Sequence, residues 1–479
     1  MATVLLAVLA SMMQAKTAIA VMMIVAAVAL LAGLYSCTVA LSDGKWSLRH
    51  RSQILLILTP LAICIFLTVA FWGFLISSAI CFYVTGELLC GGSRPALNRQ
   101  VRIATMLVLA YWAHPLPVVL SGAFLVCLLV VEQWQKSSQP IRTWKTTLTK
   151  VVKATWPWLI PAALCVWSIA RLVASTTAPK NHVSTAAVLW TRLFDFLRMD
   201  DLIAMSPTPT SGGAFVLLLG VLVTAAVLKP KYENPRERVI SIFTLALIAG
   251  YFLVPDSVGA GSWIPLRILF HAAVFVTILA LSPGRLEGRQ TWLCCFLATI
   301  CIFSFAGEYL LVSKRLAQPV EELRLALADV PRNSRVIMLT YRLTPDCARW
   351  PLEERAKPER HLAVLPAAER ELVILNDYEP STSQFPVLYR EASFASMLNE
   401  ILFEKGDQDR FIDGLKKTSA IDYVISWGVP SGVRNCSAWI EAPLQSSLME
   451  NYNLLARRAG VSRVEIWKVK AEPLTRNHP

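Results

Sequence analysis

Long apolar stretches alternate with short basic loops over the first 312 residues of the chain. A bilayer core about 30 Å thick is crossed by roughly 20 residues of apolar helix. The stretches that approach or exceed this length are 17–41, 54–90, 103–131, 156–175, 213–228, 239–254, 265–281 and 292–312. The pattern predicts a polytopic helical membrane domain with about nine or ten spans.

Two of these stretches are too long for one helix. Residues 54–90 contain a hinge sequence at 71–74, Phe-Trp-Gly-Phe. Residues 103–131 are interrupted at 114–117, where two prolines each remove a backbone donor and bend a helix. Residues 54–90 are therefore predicted to form two helices, and residues 103–131 either a short pair of helices or a sharp kink.

The basic residues between the spans predict how the chain is oriented. Short cytoplasmic loops of polytopic proteins carry an excess of Lys and Arg, so every second loop here is predicted to be cytoplasmic. This orientation requires both long stretches to be hairpins, and it places residues 313–479 on the outer side of the membrane. The basic groups are Lys45/Arg49/Arg51, Arg94/Arg99/Arg102, Lys136/Arg142/Lys145/Lys150/Lys153, Lys229/Lys231/Arg236/Arg238 and Arg285/Arg289.

The predicted outer loop 176–212 contains an amphipathic segment, 186–205. Its apolar residues recur at helical spacing, and Arg192, Asp195 and Arg198 recur on the other side. This pattern predicts a helix that lies in the membrane interface, with Trp190 at headgroup depth and Asp195 paired with one of the two arginines.

From about residue 313 the pattern changes to that of a soluble α/β domain. Residues 1–312 therefore form the predicted transmembrane domain, and residues 313–479 form the predicted extracytoplasmic domain, which is large enough to bury its own core. Two cysteines there, Cys347 and Cys436, can form a disulfide in an oxidising compartment. The predicted elements are helices at 319–328, 392–418 and 443–458 and strands at 335–341, 421–428 and 463–469.

Composition and charge support a membrane protein. The chain is 55% apolar and only 16% charged, whereas soluble domains average about 45–50% and about 25%. The net charge of +13 belongs to the membrane part, because residues 1–312 hold 23 basic and 11 acidic residues, whereas residues 313–479 hold 23 and 22. The basic excess therefore reflects topology, and no nucleic acid partner is expected.

Local motifs for nucleotide binding, zinc hydrolysis and serine hydrolysis are absent from the sequence. Nine of the eleven cysteines lie in or beside apolar stretches, where they pack as small apolar residues. No metal site is predicted from the residues.

Ionisable residues in or beside the spans are the candidates for function, because they are costly in a bilayer. They are His114, Arg171, Asp256, Arg267, His271 and Glu308. Arg171 and Glu308 are predicted near helix ends, where a long side chain can reach the interface. His114 lies at the proline break, where it can either join a site or cap freed carbonyls.

Arg267 is the candidate for binding a lipid phosphate. Its guanidinium can hold a phosphate with two parallel hydrogen bonds, and His271 follows one turn later on the same helical face. Asp256 begins a loop of small residues that leads to Arg267, and it is the predicted catalytic base. Other acids in the predicted outer loops are Asp195, Asp200 and Asp201.

Several of these segments resemble bacterial polytopic membrane proteins related to the GT-C glycosyltransferases. The resemblance is carried by residues 106–115, 71–74, 255–267 and, in the C-terminal domain, 421–428. It implies a GT-C-like membrane domain that transfers a sugar from a polyprenyl-phosphate donor. The transfer would take place at the outer face of the bacterial cytoplasmic (inner) membrane. The resemblance also implies that a divalent metal either assists this transfer or is not required. From the residues themselves, His114, Arg267 and His271 are the predicted phosphate-binding residues.

The beginning of the chain departs from this family. GT-C enzymes usually carry an acidic catalytic residue in a large loop after the first membrane helix, whereas residues 1–16 contain only an apolar stub and a short turn. Either the chain is N-terminally truncated, or the base lies elsewhere. The alternative function is a non-catalytic scaffold that binds a partner in envelope polysaccharide assembly. A transporter is a third possibility, but internal symmetry is not visible.

Overall fold

The computed structural model divides into two compact units, Met1–Glu308 and Tyr309–Pro479. The described residues, apart from isolated positions before 15 and without 368, are 15–41, 47–68, 71–91, 97–136, 159–174, 185–198, 202–203, 210–228, 234–255, 263–340, 366–374, 421–429, 449–450, 452–458 and 463–470.

The first unit is built from helices that follow the predicted apolar stretches. Four of its described segments are long and apolar enough to cross a membrane, namely Thr17–Val39, Trp72–Cys90, Thr210–Val227 and Gly288–Leu327. The last of these helices contains the boundary between the two units. The helices are α1 Ala15–Val39, α2 Leu48–Ala62, α3 Ile65–Thr68, α4 Trp72–Gly91, α5 Leu97–Ala113, α6 Pro115–Lys136, α7 Leu159–Ala174, α8 Thr185–Arg198, α9 Thr210–Leu228, α10 Pro235–Leu253, α11 Ile264–Ala280 and α12 Gly288–Leu327.

Helices α1 and α4 run in the same direction in close contact. A Cβ at Gly33 would lie 2.3 Å from the carbonyl oxygen of Ala79, and further along both helices Gly86 meets the backbone of Cys37. Only glycine permits this approach, because a methyl group would overlap the facing backbone.

The prediction that each long stretch is interrupted is confirmed. Residues 54–90 contain the end of α2, the short α3 and then α4, which begins within the predicted hinge. Glu87 near the end of α4 pairs with Arg99 near the start of α5, so these two helices are antiparallel. Ser77 near the start of α4 donates a hydrogen bond to the carbonyl of His114, where the stretch 103–131 divides into α5 and α6.

Described residues from four of the five basic groups lie at one end of the first unit. At this end, Arg236 donates a hydrogen bond to the carbonyl oxygen of Ala40 (3.2 Å), and Arg49 lies over the ring of Trp292. The buried Arg285 pairs with Glu237, with Nε 3.1 Å from Oε2. The fifth group, 136–153, lies almost entirely outside the described residues. Which compartment this end faces stays a prediction.

Helix α8 lies at the opposite end, and its Arg192 points inward. Arg192 is buried and donates hydrogen bonds from Nη1 to the carbonyls of Tyr251 (3.3 Å) and Phe252 (2.8 Å), in the last turn of α10. Trp190 and Leu197 are more than 60% exposed. The prediction of Arg192 on a polar outer face is therefore wrong. The carbonyls in the last turn of α10 lack helical partners, and they accept hydrogen bonds from this cation.

Glu308 also lies elsewhere than predicted. It is in the middle of α12, and its carboxylate accepts hydrogen bonds from the backbone N–H (3.0 Å) and the hydroxyl (2.8 Å) of Ser211. Ser211 is in the first turn of α9, where backbone N–H groups lack helical partners and a negative charge is favourable. Glu308 therefore caps a neighbouring helix, and the prediction of a helix-end position is wrong.

The second unit contains a five-stranded sheet with the order β2-β1-β3-β5-β4. Strands β1 and β3 are parallel, whereas β5 pairs antiparallel with both β3 and β4. The last turns of α12 pack on one face of this sheet, where Leu323 and Leu327 contact the cluster that includes Trp427. The strands are β1 Arg335–Thr340, β2 Val373–Ile374, β3 Tyr423–Val429, β4 Tyr452–Arg458 and β5 Arg463–Val469.

Three predicted strands are confirmed, but the predicted helix 443–458 is wrong over residues 452–458. Residues 452–458 form strand β4, which is paired along its length with β5. Arg457 and Glu465 face each other across this pair, 2.9 Å apart. Cross-strand contacts of this kind override the local helical spacing of the leucines. The predicted helix 392–418, Cys347 and Cys436 lie outside the described residues.

Candidate functional site

Three helix amino ends meet at the end of the first unit opposite the basic loops. They are the starts of α4 at Trp72, α6 at Pro115 and α11 at Ile264. Proline is favourable in the first turn of a helix because its ring fixes the backbone and the missing N–H has no helical acceptor there. Each of these ends carries a partial positive charge, so their convergence favours an anion.

Arg267 lies in the first turn of α11 and is central to this site. Its side chain is buried among aromatic rings, with the guanidinium carbon 4.6 Å from the ring centre of Phe71 and 5.5 Å from that of Phe74. Its Nη1 lies 2.9 Å from Nε2 of His114. The sequence hinge at 71–74 therefore forms the aromatic wall around this cation.

His114 is fixed by three further hydrogen bonds. Its backbone N–H donates to the carbonyl of Ala110 (2.8 Å), and its own carbonyl accepts from the hydroxyl of Ser77 (2.8 Å). Its Nδ1 accepts from the backbone N–H of Leu116 (3.2 Å). The imidazole thus caps an amide at the start of α6. It does not cap freed carbonyls, which was the alternative prediction.

The two contacts of the His114 ring cannot both be hydrogen bonds to a neutral imidazole. The N–H groups of Leu116 and Arg267 both point at ring nitrogens, so both nitrogens would have to be acceptors. A neutral imidazole has only one acceptor nitrogen. One of the two contacts therefore brings two donors together. If the proton is on Nε2, an anion accepting from Nε2 and from Arg267 would satisfy both donors.

His271 adds a second imidazole on the same helix as Arg267. Its Nδ1 is 2.9 Å from the carbonyl oxygen of Arg267, which can only accept, so Nδ1 carries the proton. The ring is 3% exposed and lies against Phe74, Phe82 and Phe270. Within the described part of the chain, its Nε2 has no hydrogen-bond partner. A buried polar atom in this condition indicates a missing ligand or water.

Trp263 precedes α11 in a strained backbone conformation. Its φ of 61° and ψ of 29° lie in the left-handed region, and its ring packs on Phe71 at 5.4 Å. A bulky residue rarely adopts this region, at a cost of roughly 1–3 kcal/mol, and such outliers cluster at functional sites. The strain falls where the chain enters the site.

The structure brings three of the four predicted site residues together, namely His114, Arg267 and His271. The fourth, Asp256, lies outside the described residues, as do Asp200 and Asp201. Asp195 is half-buried on α8. Arg171 lies in α7, and its side chain is not among those described.

Among the described residues, no group of three or more His, Cys, Asp or Glu side chains is arranged to hold a metal ion. The chemistry that the site offers is that of hydrogen-bond donors and helix ends gathered among aromatic side chains. This set suits a phosphate attached to a hydrophobic chain.

No family model, curated protein or solved structure matches this chain. The family resemblance therefore depends on the residues quoted above, and the function has to be argued from the geometry of the site.

Sequence reasoning missed Ser77 and Leu116, which hold His114 in place. Leu116 carries a visible signal, because it lies between the two prolines in the first turn of α6, where its backbone N–H can be capped by a preceding side chain. Ser77 carries none, since its partner is 37 residues away in the sequence.

Proposed function

We propose that this protein is a GT-C-like membrane glycosyltransferase of the bacterial inner membrane, with its C-terminal unit outside the cytoplasm. In this proposal it takes a sugar from a polyprenyl-phosphate donor. The observation that carries the proposal is the close contact between Nη1 of Arg267 and Nε2 of His114 (2.9 Å) at three helix amino ends. A phosphate oxygen placed there would accept from both groups.

The donor phosphate is assigned to Arg267 and His114, with His271 beside it. Arg267 offers a planar guanidinium, and His114 offers Nε2–H because Leu116 holds Nδ1 as an acceptor. Their aromatic surroundings keep water away and strengthen these interactions. The polyprenyl chain would extend into the bilayer beside the apolar helices.

The reaction is a displacement at the anomeric carbon of the donor sugar. The acceptor oxygen forms the new bond to this carbon, while the bond from the carbon to the phosphate oxygen breaks. The polyprenyl phosphate leaves with the electron pair, and Arg267 stabilises its developing charge. The proton of the acceptor hydroxyl passes to Asp256 as general base, a role worth about 10²–10⁴-fold in rate.

Donor binding tests the phosphate site. Purified full-length protein should bind a long-chain polyprenyl monophosphate more tightly than the matching polyprenol, as measured by native mass spectrometry. Arg267→Ala should weaken binding of the phosphate about 10- to 100-fold, because hydrogen bonds to charged groups are worth about 1.5–3 kcal/mol. Arg267→Lys should restore only part of this loss, since an ammonium lacks the planar pair of donors.

Binding of the polyprenol is the control, because it lacks the phosphate and should be unchanged in Arg267→Ala. Equal binding of the polyprenyl phosphate by wild type and Arg267→Ala would exclude the assigned role. Transfer is assayed in the same preparation, where Asp256→Asn should abolish product formation and Asp195→Asn should spare it. Binding that depends on Arg267, without any sugar transfer, would favour the non-catalytic scaffold.

A further inference from the structure

An apolar groove lies between α9, α10 and α11, at a distance from the site described above. Its volume is about 650 Å³. Its floor includes small residues, among them Gly220, Ala272 and Ala273, and its rim includes Val223 and Leu245, which are 41% and 67% exposed. The groove therefore opens to the side of the helical unit, where lipid would surround a membrane protein.

The length of the groove matches one leaflet of a bilayer. Along α10 it extends from Glu237 to Ile248, which is about 16 Å at 1.5 Å per residue. This is about half of a hydrocarbon core about 30 Å thick. Phe196 and Leu197 of α8 line its far end.

The other end of the groove is polar and lies among the basic loops. Arg238 and the ion pair of Glu237 with Arg285 line this end. The segments 229–238 and 285–289 together contain six basic and three acidic residues. An amphiphile in the groove would thus place its polar end in a positive environment and its chain among apolar side chains.

We propose that this groove binds one acyl chain of an anionic phospholipid, with the headgroup phosphate near Arg238 and the end of the chain near Ile248. The volume is within the range of about 300–1,000 Å³ that is usual for small amphiphilic ligands.

Gly220 provides a direct way to block the groove. A Cβ built at Gly220 has no heavy atom within 4 Å, so a larger side chain can be added there without a clash at its first atom. Gly213 is on the same helix and is equally open, but it does not line the groove. Gly220→Phe and Gly213→Phe are therefore a matched test and control.

The experiment uses the purified full-length protein and phosphatidylglycerol with a photoreactive diazirine at the end of one acyl chain. After irradiation, crosslinked peptides should come from the far end of the groove, around Val216 and Ile248. Native mass spectrometry with unlabelled dioleoylphosphatidylglycerol should show occupancy at least about tenfold lower in Gly220→Phe, because the side chain fills the space, and unchanged in Gly213→Phe.

The anionic headgroup is tested with dioleoylphosphatidylcholine, which has the same chains. Arg238→Gln should reduce the preference for phosphatidylglycerol over phosphatidylcholine about fivefold, since one basic residue is removed from the headgroup region. Wild-type crosslinks that avoid α9, α10 and α11 would overturn the proposal whatever the variants do. Equal phosphatidylglycerol occupancy in Gly220→Phe and wild type would also overturn it.

Discussion

Two buried arginines at opposite ends of the helical unit have different partners. Arg285, among the basic loops, donates hydrogen bonds to the carboxylate of Glu237 and to the carbonyl of Ala226. Arg267, at the other end, has Nη1 against His114 and its guanidinium over the ring of Phe71. Both side chains are less than 10% exposed.

The difference shows that burial alone does not distinguish a charge that is balanced inside the chain from a charge at the candidate site. The charge of Arg285 is balanced by a carboxylate, and this arginine ties the loop after α11 to α9 and α10. The contact of Arg267 with His114 would be completed by an anion from outside the chain. The type of partner, therefore, identifies the candidate site.

The largest effect is expected where the balanced pair is broken. Glu237→Gln should lower the free energy of unfolding by about 3–5 kcal/mol, because it leaves the buried Arg285 without a counter-charge. The measurement is the unfolding free energy of the full-length protein in mild detergent. Arg267→Met is the comparison, and it should change this free energy little, because removing a cation from apolar surroundings offsets the loss of its contacts.

The double variant of Glu237→Gln with Arg285→Met is the control for this prediction. It should recover most of the loss, since no uncompensated charge remains. If Glu237→Gln alone is as stable as wild type, Arg285 is not held by this pair. A large loss in Arg267→Met would remove the contrast between the two arginines.

Arg192 tests whether carbonyl partners are enough to make a buried arginine structural. Arg192→Ala removes donors from the carbonyls of Tyr251 and Phe252, and we expect a loss of about 1–3 kcal/mol. Hydrogen exchange of the α8 and α10 amides should show the loss as faster local opening. Tyr251→Phe, which removes only a hydroxyl that donates to the carbonyl of Arg192, should have a smaller effect. Unchanged exchange in Arg192→Ala would show that these bonds do not hold α8.

The smallest effect is expected for an arginine with a carboxylate partner at the surface. Burial tends to raise the pKa of Asp422, but hydrogen bonds from the side chain and backbone of Arg335 outweigh this effect and hold its pKa below the usual value. The stabilising contribution is therefore present above the unfolded pKa and is lost as the pH falls through the lower folded pKa. For an exposed pair we expect about 0.2–1 kcal/mol.

The test compares hydrogen exchange of β1 and β3 in wild type and Asp422→Asn at the same pH. The difference in opening free energy should be present at neutral pH and should shrink below about pH 4, the usual range of an aspartate pKa. A difference that stays constant down to acid pH would show that the charge of Asp422 has no part in it.

Much of the helical unit was predictable because the apolar stretches are a local property. The predicted span 265–281 is α11, Ile264–Ala280, within one residue at each end. Which face of α8 is buried was not predictable, because the acceptors of Arg192 are carbonyls about 60 residues further along the chain. The same limit explains β4, whose partner β5 is not visible in its own helical spacing.

The sequence by itself determined the two regions of the chain, the helix breaks at the hinge and the proline pair, and the choice of His114, Arg267 and His271 as candidates. These follow from hydropathy, from the geometry of proline and from the cost of a charge among apolar residues. Only the tertiary structure decided that the three residues meet at three helix amino ends, and that Glu308 and Arg192 cap neighbouring helices instead. Such contacts depend on how distant helices pack, so no local pattern of residues can reveal them.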